Sequence, residues 1–279
     1  MASKVRQSIK NKSPNRATRI CIAGATGVVG RCLVSAVQAV EDMKLVSAVA
    51  RSAAGRDLGE VLGGTPMNLR VDETVDAALE AGVDVLIDYT HPAAVRGHIE
   101  TAIARGTSVV VGTSGLRPED YPPIKAAAEA AGVGIATGNF AITAALMQHL
   151  ALMAAPHMPQ WEVIEYNQPF KPDAPSGTGT ELAEMLSAVH APEETVPESA
   201  TIGPREARGA VVDGTRVHSV RLHGFASACE VILGMPGQRL TIRHDVEPGG
   251  EAFVFGSLFA ARAVLTRPGL TRGLDALLF

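Results

Sequence analysis

Cysteine is nearly missing from this 279-residue chain, with only Cys21, Cys32 and Cys229, far apart and without paired metal-type spacing. That argues against a disulfide framework or a zinc site and fits a reducing compartment, with thiols that are buried or inert. Long apolar runs are missing too. No stretch reaches the roughly 18 residues expected of a membrane span, so a cytoplasmic protein with no membrane partner is expected. Neither sign of charge dominates: 25 basic and 29 acidic residues leave a formal net charge of -4. Such a balance gives no reason to expect nucleic acid as a partner. There is no heptad, internal repeat or low-complexity tract. What remains, 46% hydrophobic and 19% charged residues, fits one large or two medium globular domains with a substantial core.

One absence is local. The first acidic residue is Glu41, while Lys4, Arg6, Lys10, Lys12, Arg16 and Arg19 all precede it. The stretch has no apolar centre for secretion and is short for an organellar signal. Residues 1–17 are therefore expected to form a basic, disordered tail.

The first strong pattern follows it. Arg19 to Ala23 reads as a strand, Gly24-Ala25-Thr26-Gly27-Val28-Val29-Gly30 as a turn, and Arg31 to Val40 as a helix. Strand, glycine turn and helix make a dinucleotide fingerprint: Gly24 for the tight turn, Gly27 for close approach to a pyrophosphate, Gly30 for helix packing. The spacing is Gly-x-x-Gly-x-x-Gly rather than the commoner Gly-x-Gly-x-x-Gly. Leu45 to Ala50 forms a second strand, which lacks the carboxylate that usually holds the ribose hydroxyls of NAD. Arg51 and Ser52 stand there instead. A guanidinium and a hydroxyl suit a 2′-phosphate, so NADPH is the preferred cofactor and NADH a second possibility. Arg56 is a further candidate for the same task.

Buried-strand patterns recur at Asp84 to Asp88, Ser108 to Val111 and Gly134 to Thr137, separated by helices at Ala93 to Arg105 and Pro122 to Ala131. This alternation predicts a parallel sheet covered on both faces, with ligands beyond the carboxyl ends of the strands. Thr90, Thr113 and Asn139 fall at those ends. Beyond Asn139 the character changes. A helix at Ile142 to Ala154, a strand from Trp161 and a helix at Glu181 to Val189 come first. A Pro- and Glu-rich linker at Ala191 to Glu206 leads to strands at Arg216 to Leu222, Cys229 to Leu233 and Arg239 to Asp245. These form a second domain, with apolar residues on both faces of its sheet. A final apolar helix, Ala252 to Thr266, is expected to pack on the first domain, making the second an insertion. The division is 18–138 with 252–279 for the dinucleotide domain, and 139–251 for the second domain.

The stretch that organises the chain is Glu165 to Thr178. Three prolines, Lys171 and a Ser176-Gly177-Thr178 helix opening lie between strand and helix. Free N–H groups at a helix start attract anions, and a nearby lysine adds a cation or a proton donor. This combination suits a small carboxylate.

Taken in order, Gly24-Ala25-Thr26-Gly27, Asp88-Tyr89-Thr90-His91-Pro92, Gly112-Thr113-Ser114-Gly115, Asn139-Phe140, Lys171-x-Asp173-Ala174-Pro175-Ser176-Gly177-Thr178 and Arg239 to Asp245 carry a family likeness. Together they resemble the dihydrodipicolinate reductase family of the lysine and diaminopimelate pathway. The resemblance implies an α/β fold in which a Rossmann-type parallel sheet domain carries an inserted α/β substrate-binding and oligomerisation domain, usually as a homotetramer. It implies hydride transfer from NADPH or NADH to an unsaturated cyclic dicarboxylate. By position, Gly24, Ala25, Thr26, Gly27, Val28 and Val29 would contact the pyrophosphate and Arg51 the adenosine ribose. Gly112, Thr113, Ser114, Thr137, Gly138, Asn139 and Phe140 would line the nicotinamide side. Lys171 would be catalytic, and Gln168, Lys171, Ser176, Gly177 and Thr178 would hold the substrate.

One position departs from that family. Its motif reads Glu-x-His-His-x-x-Lys, with the first histidine the proton donor, and here the pair is Asn167 and Gln168. An amide has no accessible pKa, so it cannot serve as a general acid, though Asn167 can still donate a hydrogen bond to developing charge. Lys171 or a water would then supply the proton. Three readings stand: the family reaction, reduction of a different imine or enoate acid, or a non-catalytic NADPH-binding assembly or regulatory protein.

Overall fold

The computed structural model describes residues 16–279. The tail expected at 1–17 falls, for residues 1–15, outside the described residues. At its end, Arg16 forms an ion pair with Asp84 at 3.2 Å.

Two sheets organise the chain. The first contains seven strands: β1 Thr18–Ala23, β2 Met43–Val49, β3 Val71–Asp72, β4 Val85–Asp88, β5 Ser108–Val111, β6 Gly134–Thr137 and β12 Gly269–Arg272. Their order is β12-β6-β5-β4-β1-β2-β3, and every neighbouring pair is parallel. This is the doubly wound arrangement, with its switch point between β1 and β4. Helices α1 Val28–Gln38, α2 Leu58–Val61, α3 Val75–Leu79, α4 Pro92–Ala104 and α5 Tyr121–Ala131 connect the strands.

Strand residues alternate between two cores. Ile20, Ile22, Ile87 and Val110 face one side with Leu33, Val34 and Val37 of α1. Cys21, Ala23, Leu86 and Val109 face the other with Val95, Ile99 and Ala102 of α4. A sheet buried on both faces must be apolar at consecutive positions, which is why these strands read as continuous apolar runs.

The second sheet is mixed, in the order β11-β10-β7-β9-β8. Its strands are β7 Gln160–Asn167, β8 Ala210–Val212, β9 Thr215–Arg221, β10 Ser227–Met235 and β11 Gln238–Val246. The central β7 alternates half-buried and buried residues throughout, and Trp161, Val163, Glu165 and Asn167 are the buried set. Helices α6 Ile142–Ala154 and α7 Gly177–Ser187 cover that face, placing Met147, Ala151, Leu182 and Leu186 against Trp161, Val163 and Val231.

The chain returns to the first sheet through α8 Val254–Ala263, β12 and the last helix, α9 Asp275–Leu278. Leu258, Ala260 and Ala261 of α8 join the same core as α1. β12 pairs with β6 along Gly269 to Arg272.

Several boundaries differ from expectation. The helix expected at Glu181 begins four residues earlier, at Gly177, because Ser176 caps it by accepting the Gly179 N–H. The long helix expected at Ala252 to Thr266 is a ten-residue α-helix flanked by 3-10 turns at Glu251–Phe253 and Val264–Thr266. The short elements β3, β8, β12, α2, α3 and α9 were not anticipated, since two to five residues carry too little periodicity.

Candidate active site

The first half of the site is a turn closed by backbone contacts. Gly24 has φ +82°, and a Cβ there would lie 2.2 Å from the carbonyl oxygen of Tyr89. A Cβ on Gly30 would lie 2.1 Å from the Gly24 carbonyl oxygen. The first turn of α1 therefore sits directly on the glycine loop, and only glycine fits at either place. The Gly24 and Ala25 N–H groups donate to Val49 at the end of β2. Gly27 caps α1 in an extended conformation. Among the described residues, the Val28, Val29 and Gly30 N–H groups have no hydrogen-bond partner. This is an anion cradle of the kind that takes a pyrophosphate. Ala25 is buried, so it offers only its backbone. Arg51 opens a 3-10 turn two residues beyond Val49 and is exposed.

Two more loops meet the turn at the switch point. The Asp88 carboxylate, fully buried at the end of β4, accepts from the Thr90 N–H at 2.9 Å and from the Thr90 and Thr113 hydroxyls at 2.7 Å. Its other oxygen lies 2.6 Å from Nδ1 of His98 on α4. Burial alone would raise its pKa, but these hydrogen bonds outweigh it and hold Asp88 below the usual carboxylate value. One side chain thus ties the Thr90 loop to the Gly112-Thr113-Ser114 loop. Gly112 packs under the Tyr89 ring, where a Cβ would come within 2.1 Å. Farther along the sheet, Thr137 and Phe140 are buried. The Phe140 ring belongs to the core, so its side chain does not line the site as expected. Asn139 caps its own loop by accepting the Ala141 N–H, and its amide donates to the Thr178 hydroxyl at 3.2 Å. That bond joins the dinucleotide side to α7.

The second half is built by side chains. Glu165 is fully buried on β7. Both its oxygens accept the Ser176 N–H at 2.9 Å, one accepts the Ser219 hydroxyl at 2.7 Å, and Arg221 donates to it at 2.8 Å. Desolvation pushes its pKa up, yet the bonds from Ser176, Arg221 and Ser219 prevail and hold it below the usual value. Gly179 allows the approach of α7, because a Cβ there would lie 3.2 Å from the Glu165 carboxylate. Asn167 is buried, with its amide 3.5 Å from Glu165, and Gln168 is half-buried beside it. Lys171 forms a 2.7 Å ion pair with Asp173. The Gly177 and Thr178 N–H groups have no hydrogen-bond partner among the described residues. A cation and free helix-start donors thus occur on one short segment. Among the described residues, no group of His, Cys, Asp and Glu side chains has the arrangement of a metal site, and no helix is long and apolar enough to cross a membrane.

Other histidines are accounted for locally. His91 caps α4, His149 stacks on Phe279, and His218 pairs with Glu162 at 2.8 Å. His244 is buried against the Thr143 hydroxyl at 2.7 Å.

Known proteins match this arrangement along almost its whole length. The family profile described as "Dihydrodipicolinate reductase, N-terminus" matches residues 18–140, and its C-terminal counterpart matches 142–278. The chain belongs to the dihydrodipicolinate reductase family. A 4-hydroxy-tetrahydrodipicolinate reductase of Synechococcus elongatus is 38% identical over 272 residues, covering 93% of this chain and 98% of the relative. One from Mycolicibacterium vanbaalenii is 38% identical over 263 residues, with the same coverage. The structure of a dihydrodipicolinate reductase from Paenisporosarcina sp. TG-14, bound to dipicolinate, superposes with a TM-score of 0.77 at 31% identity, covering 93% of this chain and 99% of that one. The dihydrodipicolinate reductase fold therefore includes both sheets described above.

Glu165 and Asp88 stand in the motifs quoted from the sequence but were given no role there, and Arg221, Ser219 and His98 were given none either. A signal for Glu165 existed: Trp161, Val163 and Glu165 keep a period of two, so the carboxylate occupies a core-facing position and requires partners.

Proposed function

We propose that this chain is an NAD(P)H-dependent reductase acting on 4-hydroxy-tetrahydrodipicolinate, in the lysine and diaminopimelate pathway. The carrying observation is the pairing of Lys171 with the free Gly177 and Thr178 N–H groups on a segment joined by Asn139 and Thr178 to the dinucleotide side. An assembly factor without turnover has no chemical need for that lysine.

The residues present fit a dinucleotide. Gly24 and Gly30 leave no room for a Cβ, and three N–H groups at the start of α1 await an anion. Bound there, a reduced nicotinamide cofactor would supply a hydride. Val28, Val29 and Gly30 would hold the pyrophosphate, and the Gly112 to Ser114 and Thr137 to Phe140 loops the nicotinamide side. Arg51, exposed beside the end of β2, favours NADPH over NADH by offering a guanidinium to the 2′-phosphate.

On the other side, the Ser176 cap, Gly177 and Thr178 would bind one substrate carboxylate. Lys171 must leave Asp173 to meet the substrate. Once the ring hydroxyl has left as water and a hydride has been added to the conjugated ring carbon, the Lys171 ammonium would balance the negative charge that spreads to the ring nitrogen and deliver the one proton that completes the reduction. Asn167 contributes a hydrogen bond. The insertion, 139–251, acts as substrate domain. Its sheet is covered by α6 and α7 on one face, and Ile164, Tyr166 and Ile232 on the other are half-buried. That face suits assembly into a homotetramer. We place the enzyme in the cytoplasm.

The test follows NADPH absorbance with enzymatically generated 4-hydroxy-tetrahydrodipicolinate. Turnover is expected, and Asn167→His is expected to raise kcat by about 10- to 100-fold by restoring a general acid. The Asn167-Gln168 pair favours one second reading, a different imine or enoate acid as substrate. That reading gains if the wild-type chain reduces such an acid and Asn167→His does not help the pathway acid. NADPH binding without oxidation across a panel of imino acids would refute both.

A further inference from the structure

The segment that carries Lys171 has little to hold it. Pro169, Pro172 and Pro175 remove three backbone donors, and residues 169, 170 and 172–174 are exposed. Its only internal main-chain hydrogen bond among the described residues is Lys171 N–H to the Gln168 carbonyl. Yet two side chains from the strands beneath grip it at three points. Arg221, at the end of β9, donates to the carbonyl oxygens of Lys171, at 3.3 Å, and of Asp173. The same guanidinium donates to Glu165, whose carboxylate holds the Ser176 N–H at the start of α7. β7 and β9 are parallel neighbours, with Asn167 opposite Arg221 and Glu165 opposite Ser219, so the grip is rooted in the sheet.

We propose that Glu165 and Arg221 are the positioning pair of the substrate half of the site. Arg221 fixes the carbonyls of the lysine end, and Glu165 fixes the first N–H of the helix end. The pair thereby sets the span between the Lys171 ammonium and the Gly177 and Thr178 donors. A ligand that must reach both is selected by that span. A planar fork suits Arg221 to this task, because one guanidinium reaches several acceptors in fixed geometry. Burial makes the pair interdependent: removing either member strands the other, so the two act as one unit. Asn167, with its amide toward Glu165, belongs to the same network. This inference rests on the functional reading above.

The test compares Arg221→Met, Arg221→Lys, Glu165→Gln and the double variant Arg221→Met/Glu165→Gln in the full chain. NADPH oxidation gives kcat and KM for the pathway acid. Titrations give the dissociation constants of NADPH and of pyridine-2,6-dicarboxylate. Arg221→Met is expected to raise KM and the dicarboxylate constant at least about tenfold, a factor that corresponds to 1.4 kcal/mol. NADPH affinity should stay within about twofold. Arg221→Lys should recover part of the loss, and the double variant should be no worse than the worse single one. Unchanged KM, additive losses, or an equal fall in NADPH affinity would overturn the pair. Amide exchange at residues 171–178 separates this inference from the functional reading. If the wild-type chain neither turns over the acid nor binds the dicarboxylate, the functional reading fails. Unchanged exchange in Arg221→Lys and Glu165→Gln would then overturn the pair independently.

Discussion

The two halves of the candidate site are built by different means. The glycine turn is held by backbone against backbone: Gly24 against Tyr89, Gly30 against Gly24, and the Gly24 N–H on Val49. The lysine segment is held by side chains reaching up from a sheet, with Glu165 and Arg221 at the centre. A backbone cradle admits almost no variation, since any added carbon collides. A side-chain frame lets its upper residues change while its lower ones stay. On that frame stand Asn167 and Gln168, where the resemblance implies a histidine pair, with the Asn167 amide 3.5 Å from Glu165.

The sharpest way to break this comparison is Lys171→Ala. It should lower kcat by about 10²- to 10⁴-fold while leaving NADPH affinity and the urea midpoint unchanged. A matching loss of cofactor affinity would show that the halves are not separable. The converse substitution is Gly24→Ala. With φ +82° and a carbonyl oxygen 2.2 Å away, it should cost about 1–3 kcal/mol or more in strain and weaken NADPH binding. Urea unfolding and a fluorescence titration read the two effects. Arg51→Ala acts at the rim of the cradle. It is expected to weaken NADPH about tenfold, or about 1.4 kcal/mol, with NADH unchanged, and equal affinities in the wild-type chain would contradict its role.

The smallest effect is one of pH. His244 lies against Thr143 beneath the substrate half, and burial holds its pKa below 6.5, with Asp245 opposing. The unfolded chain therefore takes up the proton first as pH falls. The stability that the neutral imidazole contributes is complete above pH 6.5 and is lost as pH drops through the lower folded value. Urea midpoints between pH 7.5 and 5.5 should decline in the wild-type chain and decline less in His244→Gln. An identical slope in both would remove His244 from the account.

What was readable in advance follows the same division. The parallel sheet could be read because each central strand is buried on both faces, and β5, β6 and α6 fall where their apolar runs end. The cradle could be read because glycine has few other reasons to recur every third residue between a strand and a helix. β12 could not: Gly-Leu-Thr-Arg is too short to carry alternation, and its pairing with β6 depends on a partner more than 130 residues away. The frame under the lysine was partly legible in Glu165 at a core-facing position. Arg221 and Ser219 were not, because a polar residue near a strand end looks the same whether it faces solvent or a buried carboxylate. The contact of Asp88 with His98 escaped for a similar reason, as it spans a strand and the following helix.

β12 also bears on how the chain comes into being. Among the described residues, the outer flank of β6 is closed only by Gly269 to Arg272, and those residues are synthesised after the whole inserted segment. During translation the nucleotide half must wait with an open strand edge, which invites unwanted pairing between chains. Loss of the last dozen residues would therefore injure the part of the protein encoded first.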